Sequence, residues 1–439
     1  VVLLVAVLIR GGVCIGSLSS LADDPDAYRA ISETLATTGV YGIRGDGDSI
    51  KATAFRPPLY PYVLSWMVRD GQLTRSAVAW FHGLLGVITV AATFACARHG
   101  LRESNVPWPA MLAALGVTID PILVQQSTLV MTETLATALA SIIVWWWMAR
   151  DQPMPTVGSA IVLGLLLSLA YLCRPTFLVW AALMTVGLWF TTDIPLRRRL
   201  LRSGAMASIV GASLLIWTFR NQQVLGHPIW ATTHGGYTLL LANNPLFYDH
   251  LRSGQWRERW DAEAFLVAHS HRYDGDPTTE AFWTKDWSAP ATVIPWESEV
   301  VDDRVCYRAA RATINREPAM FWWSCVVRVG WLWSPLPHHT EERSPRLVYA
   351  VGGYYVVVML LMLVGIYRLR GAGHWRIWWP AITLAVTLSM VHAVYWSNMR
   401  MRSPIIPAIC VLAAAAFQPR RETVTAAVHD GYNGAPERG

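Results

Sequence analysis

Residues 23–42 read DDPDAYRAISETLATTGVYG, and residues 52–67 read ATAFRPPLYPYVLSWM. Both stretches lie on one segment, after a first apolar run and ahead of a long series of others. Acidic residues at the mouth of a membrane bundle are expensive beside lipid, which marks them as functional candidates. Here they are followed by Arg56 on a Pro57-Pro58 turn. One loop therefore carries carboxylates that can take a proton and a cation that can hold a phosphate.

The rest of the chain supports a membrane setting. Of 439 residues, 53% are hydrophobic and only 15% are charged, where a soluble domain carries about a quarter. The mean hydropathy is +0.32. The apolar residues fall in long runs, so the sequence predicts an α-helical polytopic membrane protein. The net charge of +6 sits largely in short loops between spans, where it sets topology and argues for no nucleic-acid partner. The 23 tryptophans suit interfacial belts, as at Trp145–Trp147, Trp322–Trp323 and Trp378–Trp379. Cys14, Cys96, Cys173, Cys306, Cys325 and Cys410 form no CxxC pair, so no zinc or redox site is expected. Cys306 and Cys325 share the large loop, which leaves one disulfide open. The chain begins at Val1 inside an apolar run, and no A-x-A-like cleavage site follows.

About ten spans follow from hydropathy: 1–20, 77–97, 107–123, 132–149, 156–173, 175–191, 203–219, 346–367, 377–396 and 403–418. Arg98 and Arg102, then Arg150, then Arg197, Arg198, Arg199 and Arg202, then Arg368, Arg370 and Arg376, and finally Arg420 and Arg421 all fall on one side. That side is cytoplasmic by the positive-inside rule. The opposite side receives the acidic loop 21–76 and a large loop 220–345. The implied division is 1–219 as a first membrane module, 220–345 as an extracytoplasmic region, 346–418 as C-terminal spans and 419–439 as a cytoplasmic disordered tail. The location is a cell inner membrane, multi-pass. Within the large loop, Glu297, Glu299, Asp302 and Asp303 precede Tyr307, Ala310 and Ile314 at helical spacing. Pro318 then opens an aromatic helix suited to the membrane interface.

Five arginines break the charge rule. Arg56, Arg174, Arg220, Arg400 and Arg402 fall at outer ends of spans, in RPP, CRPT, FRNQ and NMRMRSP. A guanidinium there can grip phosphate through its planar fork, or simply snorkel to headgroups. Pro57, Pro58 and Pro61 make RPPLYP a stiff turn into a short helix, LYPYVLSWMV, that carries Tyr60. The acids have a second reading too. Asp24 before Pro25 reads as an N-cap and Asp26 as a first-turn acid. Glu133 opens a span in VMTETLATALAS and can bind acceptor, orient a base, hold a metal or serve as a first-turn acid. His392 lies near the outer end of a late span, and His234 lies in THGG. A lone histidine is more often structural.

In order and spacing, these motifs resemble C-type (GT-C) glycosyltransferases, specifically bacterial relatives of the dolichyl-phosphate-mannose protein mannosyltransferases of family 39. The related lipid A aminoarabinose transferases look similar. DDPDAY resembles the acidic motif of the family's first outer loop, with Asp24 four residues before Tyr28. Arg56, Pro57, Pro58 and Leu59 resemble its basic-Pro-Pro-Leu turn. WTFRNQQVLGHPIWATTHGGYTLLLANNP resembles the exit of a middle span, through Arg220 and Asn221, Gly235 and Gly236, and Asn243, Asn244 and Pro245. MRMRSPIIP resembles the terminal Arg-x-Arg-x-Pro motif. One departure is Pro25, which stands where many members carry a second acid.

The resemblance implies a polyprenyl-phosphate sugar as donor and a glycan, lipid or protein as acceptor. A phosphate leaves without a general acid, so one carboxylate base and several cations suffice. Asp24 is the expected base, with Asp26 as substitute. Arg56, Arg400, Arg402 and Arg220 are the expected phosphate ligands. Tyr28, Glu133, Tyr60, His392 and Asn243 are expected to orient the acceptor. No cofactor or metal site is expected, with divalent-metal dependence left open. A polytopic transporter or a non-catalytic lipid-binding membrane protein is the alternative. A transporter places its polar residues near the bilayer midplane in repeated halves; this chain shows no repeat, and only Arg10 sits deep in a span.

Overall fold

The structure, a computed structural model, describes residues 1–45, 49–101, 107–150, 156–190, 195–256, 258–287, 291, 299–338, 344–370 and 374–418. The predicted tail 419–439, with Arg420 and Arg421, lies outside the described residues, as do Arg102 and Glu297.

The molecule is helical. Five helices are long and apolar enough to cross a membrane: Arg75–Gly100, Leu196–Leu225, Pro345–Leu369, Trp375–Val394 and Met399–Phe417. Five further apolar helices, Val2–Gly16, Trp108–Ile119, Glu133–Met148, Val157–Cys173 and Phe177–Gly187, are shorter than the roughly 20 residues a perpendicular span needs. Sequence reading places a span on each of these; by length, five of the ten fall short. The apolar surface itself calls for lipid. In the most apolar window of Pro345–Leu369 only 17% is buried, and Val357, Leu360 and Leu363 face outward. Water tolerates no apolar patch of that extent on a lone soluble protein.

Small residues let the helices close. A Cβ on Gly365 would stand 1.8 Å from the Leu412 carbonyl oxygen, so the helices Pro345–Leu369 and Ile406–Ala414 touch backbone to backbone there. Gly187 is likewise a slot for the Trp379 indole. The belt expected of the tryptophans is therefore only partly present. Trp147 and Trp378 are buried packing residues, whereas Trp322 and Trp323 on the helix Pro318–Trp333 are exposed.

The boundary expected at residue 219 falls inside a helix. Leu196–Leu225 runs on for another turn and a half until Gly226, whose φ of +70° gives the left-handed cap, with its N–H on the Gln222 carbonyl. Beyond it lie Gly235–Ala242, Pro245–Arg252, Glu263–Ser270, Glu280–Thr284, Glu299–Arg316 and Pro318–Trp333. They share an aromatic core in which Phe265 and Trp283 stack at 5.6 Å and Phe247 meets Trp260, Trp331 and Trp396. Asn244 caps the second of these helices by accepting the Phe247 N–H at 2.9 Å, with Pro245 at its first position. Cys306 and Cys325 are both free, and the first lies 3.5 Å from His269 Nε2.

The first loop folds around the helices Tyr28–Thr38 and Leu59–Ser65 and two hairpins. Gly42–Arg44 pairs antiparallel with Ile50–Ala52, and Val68–Arg69 with Gln72–Leu73. Asp70 and Gly71 both have positive φ, the type I′ geometry that matches strand twist. Glu299 ties this loop to the larger one. Its carboxylate accepts from the Thr53 hydroxyl at 2.6 Å and the Ala54 N–H at 2.9 Å.

Candidate active site

The helix Tyr28–Thr38 starts later than the Asp24-Pro25 pair predicts. Ala27 precedes it with φ of +60°, and Asp24 reaches across that turn. One Asp24 oxygen accepts the Arg29 N–H at 3.0 Å and the other the Ala30 N–H at 2.9 Å. These amides belong to the unpaired first turn, so the carboxylate caps the helix from outside and is itself fixed in direction. Arg29 anchors the same turn, donating to the Leu21 and Leu73 carbonyls and pairing with Glu33 at 3.4 Å.

Asp26 sits on the turn and faces Arg56. Arg56 NH2 lies 2.6 Å from Asp26 Oδ1, and Arg56 Nε donates to the Asp26 carbonyl at 2.7 Å. The guanidinium also lies 4.4 Å from the Phe55 ring centroid and 5.5 Å from that of Tyr28. Pro57 and Pro58 hold the backbone, and the Tyr41 hydroxyl donates to the Arg56 and Pro57 carbonyls at 2.9 and 3.2 Å. The stiff turn read from RPPLYP is thus pinned at both ends.

A second charged set faces the first. Glu133 opens its helix with only 2% of its surface exposed. Arg174 approaches it at 3.5 Å and Arg400 at 3.8 Å. Arg174 caps the C-terminus of Val157–Cys173, where the helix dipole favours a cation. Arg400 rides the 3-10 turn Met399–Ile405, whose start Asn398 caps by accepting the Arg400 N–H at 3.1 Å. Glu133 Oε2, Arg174 NH1 and Arg400 Nε are buried without a hydrogen-bond partner. The ion pairs are long, so these atoms keep hydrogen-bonding capacity.

Two tyrosines join the halves. Tyr28 and Tyr60 meet edge to face at 5.3 Å. Burial pushes the Tyr28 hydroxyl up from its usual range, with Arg56 opposing and Asp26 and Glu133 adding to the rise. The Tyr60 hydroxyl lies in the fields of Glu133 and Asp24. His392 lies in the fields of Arg174 and Glu133; its Nδ1 is 3.1 Å from the Trp396 carbonyl, and its Nε2 has no partner. Asp24, Asp26, Arg56, Tyr28, Tyr60, Glu133, Arg400 and His392 therefore gather at one end of the bundle.

Three other residues singled out in the sequence sit elsewhere. Arg402 is fully buried over the Tyr355 ring at 4.3 Å and donates to the Leu332 and Ser334 carbonyls at 3.1 and 2.6 Å, holding the end of Pro318–Trp333. Arg220 donates to the Thr53 and Tyr41 carbonyls at 2.7 and 2.8 Å and locks the first hairpin to Leu196–Leu225. Asn243 is fully buried; it donates to the Leu239 and Val394 carbonyls and accepts from the Tyr248 hydroxyl and from Arg328. Arg174 belongs to the cluster instead, and its CRPT context carries the same basic-Pro signal as Arg56. Arg10 is buried as its position suggests, donating to the Val117 carbonyl in the field of Asp120.

Near the cluster, burial drives His234 well below its ordinary range, with Arg56 and His269 adding to the effect. Among the described residues, no group of three His, Cys, Asp or Glu side chains converges as a metal site. Glu133 stands between two guanidinium groups, a setting that suits a hydroxyl or a water better than a divalent cation.

No protein-family model and no curated protein matches the sequence. The fold is similar to that of the archaeal oligosaccharyltransferase AglB from Archaeoglobus fulgidus in complex with an inhibitory peptide and a dolichol-phosphate. The TM-score is 0.50 at 15% identity, over 94% of this chain and 49% of that one. The apo form of the Archaeoglobus fulgidus enzyme gives 0.51 at 11% identity, over 94% and 49%. ArnT from Cupriavidus metallidurans bound to undecaprenyl phosphate gives 0.38 at 15% identity, over 93% and 76%, below the level that carries a shared fold. The chain spans about half the length of the oligosaccharyltransferase it matches. At these identities the likeness is one of fold alone, shared with the membrane part of an oligosaccharyltransferase over about half of its length.

Proposed function

We propose that this chain is an integral-membrane glycosyltransferase that moves a sugar from a polyprenyl-phosphate donor to an acceptor hydroxyl at the extracytoplasmic face. The observation that supports it is the gathering of Asp24, Asp26 and Glu133 with Arg56, Arg174 and Arg400 at one end of the bundle. A structural neighbour in complex with a dolichol-phosphate is consistent with a lipid-linked donor.

In this reading, Arg56, Arg174 and Arg400 hold the donor phosphate. The acceptor oxygen forms its bond to the anomeric carbon as that carbon's bond to the phosphate oxygen breaks. The phosphate leaves with the electron pair, stabilised by the guanidinium groups. The acceptor proton passes to Asp24, whose two amide bonds aim it at no reorganisation cost. Asp26 holds Arg56 in register until phosphate competes for it. Glu133 Oε2 takes a hydroxyl of the acceptor or of the sugar. The ten-span topology belongs to the same proposal, with the shorter apolar helices tilted, extended or partly re-entrant.

The test is transfer of radiolabelled sugar from a panel of polyprenyl-phosphate donors in membranes, with wild type, Asp24→Asn and Asp26→Asn at equal expression. The reading predicts transfer by wild type that falls about 10²- to 10⁴-fold in Asp24→Asn. Transfer by wild type that neither substitution alters, or none across the panel, contradicts it and leaves Asp24 a helix cap and Asp26 the ion-pair partner of Arg56.

A further inference from the structure

A buried histidine that takes no part in the chemistry above bonds Tyr60, on the Arg56 side of the charged cluster, and Ser127, at the start of the segment that leads to Glu133. The Tyr60 hydroxyl lies 2.8 Å from His82 Nε2, and His82 Nδ1 lies 2.9 Å from the Ser127 carbonyl oxygen. A carbonyl only accepts, so Nδ1 carries a proton. With the ring neutral, Nε2 accepts, and Tyr60 donates. Each link has one direction. Tyr60 and His82 have no exposed surface and Ser127 has 1%, so water cannot replace either bond. The two rings also stack, at 6.1 Å and 19°.

The three residues come from three places. Tyr60 is four residues past Arg56, on the helix that the Pro57-Pro58 turn opens. Ser127 closes Pro121–Gln126 and begins the segment that ends at Glu133. On that segment, Met131 Sδ lies 3.1 Å from Arg400 NH1, and the Thr132 carbonyl is 3.9 Å from Cys173 Sγ, beside Arg174. His82 belongs to neither side; it projects from Arg75–Gly100.

We propose that His82 is a positioning residue that sets the spacing between the Arg56 turn and the Glu133–Arg174–Arg400 set, and so the width of the phosphate site. The proposal rests on the transferase reading of that site. Losing the imidazole leaves the buried Tyr60 hydroxyl unpaired and the Ser127 carbonyl with only the weak Cys14 thiol at 3.7 Å, and both sides relax by moving. A histidine that merely fills the core changes stability and leaves phosphate affinity alone.

The experiment measures binding of undecaprenyl phosphate, without sugar, to the full chain in nanodiscs. It compares wild type, His82→Leu, Tyr60→Phe, the double variant and His82→Gln, each as folded monodisperse protein. Tyr60→Phe removes one hydroxyl at constant volume and carries the test if His82→Leu fails to fold. The expected result is a weakening of about tenfold in each single variant, no further weakening in the double, and substantial recovery in His82→Gln, which keeps a donor and an acceptor. Equal affinity in the folded Tyr60→Phe and His82→Leu proteins, or a double variant weakened by the product of the two, overturns the positioning role while leaving the transferase reading in place. No binding by wild type overturns the transferase reading and the positioning role with it.

Discussion

At Asp24 both carboxylate oxygens hold backbone amides, so Asp24→Asn keeps one of the two bonds and loses the charge. The account expects transfer to collapse while the helix Tyr28–Thr38 stays formed, read by activity beside circular dichroism. Asp26→Asn leaves Arg56 a neutral amide oxygen in place of its charged 2.6 Å partner and keeps the bond from Arg56 Nε to the backbone. Its expected effect is a shift in donor KM with kcat within about tenfold, because it touches the phosphate clamp and not the proton. Glu133→Gln keeps volume and leaves Arg174 and Arg400 without their shared counter-charge. It should lower kcat about 10²-fold without weakening donor binding, measured by the same kcat and KM split. The sequence shows why these residue types belong on an outer loop. It does not show which arginines share a site. Arg400 and Arg402 look alike in MRMRSP, yet one faces Glu133 and the other is swallowed by carbonyls from Leu332 and Ser334. That difference depends on how a 3-10 turn presents neighbouring side chains, which no local pattern encodes.

Among the elements, the helix around Tyr307 and the one opened by Pro318 were legible from spacing and proline, and they run Glu299–Arg316 and Pro318–Trp333. The two hairpins in the polar stretch of the first loop were not, because strands of two or three residues carry too little periodicity to read. The contact between Gly235–Ala242 and Glu299–Arg316 carries a titration. Asp303 accepts the Gly236 N–H at 2.6 Å, and burial, with Asp302 and Glu299 nearby, pushes its carboxyl up to about 6, against the hydrogen bond and Arg304. In the unfolded chain it returns to its ordinary value of 3.8. A raised folded value means the folded state holds the proton more tightly, so its stabilisation is complete below about 4 and is lost as pH rises through about 6. Thermal unfolding should therefore show wild type gaining on Asp303→Asn as pH falls from about 7 to 5. At the Gly365 crossing, Gly365→Ala forces a methyl against the Leu412 carbonyl. It should cost about 1–3 kcal/mol, seen as a lower Tm.

For the whole molecule, the apolar exterior, the aromatic core beyond Leu225 and the charged cluster at one end fit the proposed transfer from a lipid-borne donor. Hydropathy located the apolar helices well, because lipid selects for composition along a whole segment. It could not give their lengths: Trp108–Ile119 ends where Asp120 caps the next short helix, and Phe177–Gly187 gives way to a 3-10 turn. The fold connects the two large polar segments through Glu299 and Arg220, so first-loop and second-loop variants should couple in double-mutant cycles. The most direct test of the account is a cryo-EM map of the full chain in nanodiscs with undecaprenyl phosphate added. The account predicts phosphate density in contact with Arg56, Arg174 and Arg400, within reach of Asp24. Density that lies instead at Arg402 or Arg220, or a bound lipid whose phosphate avoids all three arginines, contradicts it.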